Sequence, residues 1–230
     1  MTYICTHTDF NEYVKEGNFK IMATKKLNGS YSFPVLVADN DINPMAFAYS
    51  EGISIRDVYL KTTDEWVGIN HYRRYFNGKQ TDETTLPIPL QCNMHRQFAT
   101  YHNINDLYKV EAIIDKYYPE YSMKYDDINV LYTNNMFIMN RHDFNKYCEF
   151  VFGVLDKFNE ENNLHSDADV EKYVIANQSQ YRNIINVKYQ SRLHGFLMER
   201  IGTIFFLTYF KNKQVTYKKI DVVSEKIKTY

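Results

Sequence analysis

Short apolar runs of strand type, at residues 3–6, 33–38, 66–70 and 135–139, alternate with segments whose apolar residues recur at helical spacing. That alternation predicts an α/β fold with a mostly parallel central sheet flanked by helices, in which ligands lie beyond the carboxyl ends of the strands. Ala48, Ile55, Val58 and Tyr59 set one helix over residues 45–61. Leu107, Val110, Ile114 and Tyr117 set another, which Pro119 stops. The clearest stripe joins Phe144, Tyr147, Cys148, Val151, Val154, Leu155 and Phe158, and Asn140 with Asp143 forms a capping pair at its start. Further helices are expected over 170–176 and 196–209. Leu86 and Ile88 alternate with Pro87 and Pro89, which predicts an extended edge or a loop. With no repeat and no obvious linker, the 230 residues read as a single domain.

Several function classes drop out on composition. The 27 basic residues nearly balance the 28 acidic ones, so no global field attracts nucleic acid or an anionic membrane. Cys5, Cys92 and Cys148 are odd in number and widely spaced, which suggests neither a disulfide framework nor a zinc site and fits a reducing cytoplasm. Residues 1–20 lack a basic start followed by an apolar run, so no secretory signal is expected, and no run reaches membrane-spanning length. Glycine-rich dinucleotide and phosphate loops are missing, as are the His-Glu-x-x-His, Gly-x-Ser-x-Gly and kinase signatures.

The densest polar cluster, His71, Tyr72, Arg73, Arg74 and Tyr75, follows a strand-type run directly. Adjacent arginines beside a histidine offer fixed donors for a diphosphate, although a solvated basic turn over packed tyrosines would read the same way. Glu51 lies toward the apolar side of its helix, so its carboxylate must be paired or used in chemistry. Glu199 and Arg200 interrupt an apolar helix, where a buried pair and a general base are both open. The two point about 100° apart around the helix, so they need not pair with each other. Asp39 and Asp41 have the Asp-x-Asp spacing of a metal motif and equally the composition of an acidic turn. His165, Asp167 and Asp169 read as a capped helix start rather than a metal site.

These blocks, in order, resemble a bacterial family of capsular and surface-polysaccharide loci, a domain of unknown function regarded as GT-A-like glycosyltransferases. The resemblance rests on Thr6-His7, Asp41-Ile-Asn-Pro44, Tyr49-Ser-Glu51 and an intact Val-Gly-x-x-His-Tyr-Arg-Arg-Tyr-Phe from Val67 to Phe76. Later blocks are Tyr-Pro-Glu-Tyr at 118–121, Asn-Met-Phe-Ile-Met at 135–139 and Gly-Phe-Leu-x-Glu-Arg at 195–200. Pro44 and Met45 replace the polar residues usual after the acidic turn, which leaves the donor sugar open.

The resemblance implies transfer of a sugar from a nucleoside-diphosphate donor, such as a UDP-sugar, to a hydroxyl acceptor. It divides the chain into a donor-binding half of about 1–100, an acceptor-side half of about 101–210 and a Lys-bearing segment over 211–230. Thr6, His7, Asp41, Tyr49, Glu51, His71, Tyr72, Arg73 and Arg74 are then donor-binding candidates, with Arg73 and Arg74 on the diphosphate. Glu199 is the candidate base, and His102, Asn135 and Arg200 lie on the acceptor side. Arginines would replace the metal, so no cofactor is expected; Asp39 and Asp41 keep magnesium or manganese as the alternative. The acceptor that the resemblance implies is a surface glycan, handled in the cytoplasm or, where it is lipid-linked, at the inner face of the membrane. The rivals are a phage-type enzyme glycosylating hydroxymethylated DNA in the host cytoplasm and a non-catalytic sugar-nucleotide or glycan-binding module. For DNA, His95, Arg96, Lys188, Arg192 and the 211–219 region would supply the basic surface.

Overall fold

The computed structural model describes residues 1–10, 12, 18–37, 44–76, 82–181 and 186–222. Asp39 and Asp41 lie outside these residues.

The strands are β1 (Thr2–Thr6), β2 (Phe19–Ala23), β3 (Val35–Val37), β4 (Trp66–His71), β5 (Arg74–Phe76), β6 (Thr85–Pro87), β7 (Leu90–Gln91), β8 (Val130–Leu131), β9 (Phe137–Asn140), β10 (Thr216–Lys218) and β11 (Ile220–Val222). The helices are α1 (Ala46–Tyr49), α2 (Gly52–Lys61), α3 (Met94–Ala99), α4 (Ile104–Tyr117), α5 (Arg141–Asn162), α6 (Asp167–Ala176), α7 (Val187–Gln190) and α8 (Leu193–Tyr209). The main sheet runs β10-β6-β9-β4-β1-β2-β3, with β5 and β11 attached beside β4. β3, β2, β1 and β4 are mutually parallel, whereas β9 runs antiparallel to both β4 and β6.

Alternation along the strands sorts the core into two faces. Tyr3 and Cys5, Val67 and Ile69, and Phe137 and Met139 share one cluster with apolar residues of all eight helices. Ile4 and Ile21 face the other way, covered by Phe10, Leu27, Tyr31 and Phe33, which come from loops. The expected α/β fold is therefore present, and its described helices share one face of a mostly parallel sheet.

Topology also locates the crevice. β2 and β4 flank β1 on opposite sides, so the connections leaving β1 and β4 diverge, and a cleft opens at their carboxyl ends. Thr6 and His7 leave the first of these ends and His71 closes the second.

Several local expectations change. The helix expected over 45–61 is two helices, broken at Ser50, whose φ of 52° and ψ of −125° no helix contains. The break makes Glu51 the N-cap residue of α2 and turns it toward the sheet's carboxyl edge. Gly195 of α8 is what fits against it: a Cβ there would stand 3.3 Å from the Tyr49 carbonyl oxygen. The Leu86 segment is an interior strand with buried residues rather than an edge. Pro87 is tolerated because β6 pairs with β9 only at Thr85, and the amide of the next residue, Ile88, makes the bond to β10. β2 was not anticipated. The Lys-bearing segment enters the sheet, with β10 on β6 and β11 on β5.

Candidate functional site

A cleft of about 270 Å³ opens at the carboxyl ends of β1 and β4, lined by Ser50, Glu51, His71, Arg73, Arg74, Asn134, Asn135, Tyr189, Arg192, Gly195, Phe196 and Glu199. Four parts of the chain build it, one of them the turn between β8 and β9 that carries Asn134 and Asn135. The β4–β5 turn supplies His71, Arg73 and Arg74; the α1–α2 break supplies Ser50 and Glu51. The third wall is one face of α8 and the residues leading into it, because Tyr189, Arg192, Phe196 and Glu199 follow one another at three- or four-residue steps.

Glu51 is the hub of the wall formed by the α1–α2 break and the β4–β5 turn. Its Oε1 accepts from His7 Nδ1 at 2.9 Å and faces His71 Nε2 at 3.4 Å, while Oε2 lies 3.7 Å from Arg192 Nη2. Burial alone would raise its pKa, but the bonds from His7 and His71 outweigh burial and hold it well below the usual carboxylate range. His71 Nδ1 accepts the Arg73 backbone N–H at 3.1 Å, which leaves its proton on Nε2, toward Glu51. Burial lowers the His71 pKa despite Glu51, so the ring is neutral near pH 7. Tyr72 stacks on His71 at 4.4 Å and carries the Arg73 guanidinium 4.8 Å above its own ring. Neither Arg73 nor Arg74 has an ion-pair partner among the described residues. Arg192 Nε donates to Ser50 Oγ at 2.7 Å, which holds the strained residue and aims a third guanidinium at the cleft.

Glu199 is the second carboxylate. Its Oε1 accepts the Asn134 backbone N–H at 2.6 Å and its Oε2 accepts Arg200 Nη1 at 2.8 Å. Burial raises its pKa; the Arg200 charge and the Asn134 bond oppose this without cancelling it, and Glu51 adds to it. The expectation that Glu199 and Arg200 need not pair is corrected. Arg200 is buried, and its long side chain curls back to bond the Phe196 carbonyl, Gln97 and Glu199 because an unpaired guanidinium there would be too costly. The cleft thus holds two carboxylates with opposite tendencies: Glu51 stays ionised, and Glu199 takes a proton more readily.

Apart from Asn135, the other candidates lie around the cleft rather than in it. Thr6 is buried and donates its hydroxyl to the Thr8 carbonyl at 2.6 Å, shaping the turn that carries His7. Tyr49 is core: it stacks on His194 at 4.7 Å and its hydroxyl accepts from Asn159. His102 and Arg200 stand behind the α8 wall, His102 against Phe196 at 4.2 Å. Asn135 is in the cleft, nine-tenths buried, with Oδ1 unpartnered among the described residues, in a turn where it and Asn134 both have positive φ. Asp167 caps α1 through the N–H groups of Phe47 and Ala48, and Ser166 caps α6, as expected of that segment. Ser50, Asn134 and Tyr189 were not singled out from sequence, and Arg192 was grouped with the DNA-facing bases. The helical step from Tyr189 to Glu199 is the signal that could have found Arg192 and Tyr189.

Residues 86–213 match a family described as a domain of unknown function, DUF4422. The chain belongs to this family. The match covers the α8 wall and leaves the His71–Arg74 turn outside it. A solved structure titled "WbbM bifunctional glycosytransferase apo structure" superposes on the DUF4422 chain with a TM-score of 0.62 at 16% identity, over 97% of this chain and 45% of that one. The chain thus spans less than half the length of that protein, and the likeness establishes a glycosyltransferase-like fold. No curated protein is similar enough to count as a match. Among the described residues no helix is long and apolar enough to cross a membrane, and no group of three or more metal-ligating side chains occurs.

Proposed function

We propose that the chain is a nucleotide-sugar-dependent glycosyltransferase that moves a sugar from a nucleoside diphosphate to a hydroxyl of a glycan. The observation that carries the reading is the convergence of Arg73, Arg74 and Arg192 with the carboxylate of Glu199 in one cleft at the switch point of the sheet. Arg73 and Arg74 bind the diphosphate with Arg192 beside them, and offset the charge that grows on it as the glycosidic bond breaks. Glu199 takes the proton of the acceptor hydroxyl as that oxygen bonds to the anomeric carbon, and the nucleoside diphosphate leaves with the bonding pair. Glu51, fixed by two imidazoles, orients the donor sugar, and Thr6 and His7 flank the nucleotide. Three guanidiniums supply the charge that a metal would otherwise supply, so the reaction runs without one. The site works in the cytoplasm or against the inner membrane, where a growing lipid-linked glycan would present itself.

A DNA acceptor is less well supported, since three of its basic candidates are engaged elsewhere. His95 is buried against Glu111 and Asp126, Lys213 pairs with Asp143, and Arg192 serves the cleft. The test is calorimetric titration with uridine and guanosine diphosphates, followed by nucleotide release from a panel of nucleotide sugars. Tight diphosphate binding with slow release in the absence of acceptor supports an enzyme. Binding without release under any condition would leave a binding module, and no diphosphate binding would overturn the proposal.

A further inference from the structure

We infer that the acceptor enters as a sugar ring stacked on a ledge of Tyr101, Tyr189 and Phe196 beside Glu199, an assignment that rests on the transferase reading above. These rings come from the turn after α3, from α7 and from α8. Tyr189 and Phe196 line the cleft itself, with centroids 5.3 Å apart. Tyr101 continues the ledge outward at 6.4 Å from Tyr189 and nearly perpendicular to it, and 39% of its surface is exposed. Phe196 is one helical turn before Glu199, so a ligand on the ledge lies next to the carboxylate.

What lies underneath makes the ledge rigid. His102 is buried between Phe98, Tyr189 and Phe196 at 5.0, 6.0 and 4.2 Å, and neither of its nitrogens has a hydrogen-bond partner among the described residues. Burial, with the charges of Arg200 and Arg192 adding to it, lowers its pKa to about 3, so it serves there as a neutral flat ring. Arg200 lies over Phe98 and Phe196 at 5.2 and 6.0 Å while bonding Glu199, which couples the position of the ledge to that of the base. The Gln190 side-chain amide donates to the Tyr101 carbonyl at 3.1 Å and pins the outer end.

Half-buried aromatic faces at the mouth of a polar cleft suit a ligand that is apolar on one side and hydroxylated around its edge. A sugar ring has this shape: its C–H face meets the negative π-face, and its hydroxyls reach polar groups such as the unpartnered Asn135 Oδ1. Nucleobases stack as well, but a nucleic acid also needs a basic track for its phosphates, and three of the candidates for one, His95, Arg192 and Lys213, are engaged as described.

The test is saturation-transfer NMR with a panel of methyl glycosides, on wild type, Tyr101→Ala, Tyr189→Ala and Tyr189→Phe, with uridine diphosphate titrated in parallel. At least one glycoside should receive saturation through the C–H protons of one face. Its affinity should drop about tenfold in each alanine variant and persist in Tyr189→Phe, since the ring face and not the hydroxyl makes the contact. Loss in the alanine variants should exceed any change in diphosphate affinity, which also reports that the cleft is folded. Three results would overturn the assignment: no glycoside contact with wild type, contact undiminished in both alanine variants, or contact only with a single-stranded oligonucleotide. Glycoside contact on the ledge without diphosphate binding would support the ledge and sink the donor reading.

Discussion

Replacing Glu199 by Gln separates chemistry from architecture, provided both effects are measured. Two donors converge on the carboxylate, the Asn134 N–H at 2.6 Å and Arg200 Nη1 at 2.8 Å. A glutamine has one oxygen to offer and presents an NH₂ group to whichever donor remains, so one charge-assisted bond is lost. That costs about 1.5–3 kcal/mol. For a chain of this length each kcal/mol shifts Tm by roughly 2–4 °C, so Tm should fall by roughly 3–12 °C. If Glu199 is the base, turnover per folded molecule should fall a further 10²-fold or so, with diphosphate affinity little changed. The pH profile gives an independent sign. The Glu199 pKa is raised above its ordinary 4.5 by burial, and a base must be ionised, so the wild-type rate should climb as pH rises through a value above 4.5. The variant should lack that limb. The stability term has the opposite sign: a raised carboxylate contributes stability below 4.5 and loses it as pH rises through the folded value. Sugar transfer should be assayed by nucleotide release at saturating acceptor, with the folded fraction fixed by denaturant titration. Turnover per folded molecule within about threefold of wild type would refute the assignment and move the search for a base to Glu51.

The remaining predictions are simpler to read. Arg73→Ala should weaken uridine diphosphate binding by about 1.5–3 kcal/mol, roughly 10- to 150-fold by calorimetry, and unchanged titration of a folded variant would place the diphosphate elsewhere. Because the Glu51 pKa is depressed by its histidine partners, its stabilisation is complete above 4.5 and is lost as pH falls through a lower value. Urea titrations should therefore show Glu51→Gln less stable than wild type at pH 7, with the gap closing below about pH 4.5; a gap independent of pH would contradict the histidine clamp. Gly195→Ala should cost about 1–3 kcal/mol, because its Cβ presses on the Tyr49 carbonyl, and an unchanged Tm would show that α8 can shift away. Turnover should persist in excess chelator; strict dependence on added manganese or magnesium would return Asp39 and Asp41 to the centre of the site.

Strand runs, helix stripes and caps were legible in the sequence because each depends on residues within one or two turns of one another. Asn140 capping α5, Pro119 ending α4 and the burial of Tyr3, Val67 and Phe137 are of this kind. The His71–Arg74 turn stood out because a charge cluster directly after an apolar strand is a local pattern as well. The sheet order was not local. Nothing in residues 19–23 or 85–87 announces an interior strand, since that status depends on which strand arrives on each side. The meeting of Glu51 with His7, His71 and Arg192 depends on a backbone break at Ser50 that helical periodicity smooths over. Glu199 and Arg200 show the same limit: their 100° separation is a property of the helix, whereas their pairing is imposed by burial, which gives the arginine nowhere else to place its charge. The sequence by itself determined which side chains can carry charge and which stripes must be buried; the tertiary structure decided which charges share a cleft, because desolvation and pairing act through space and not along the chain.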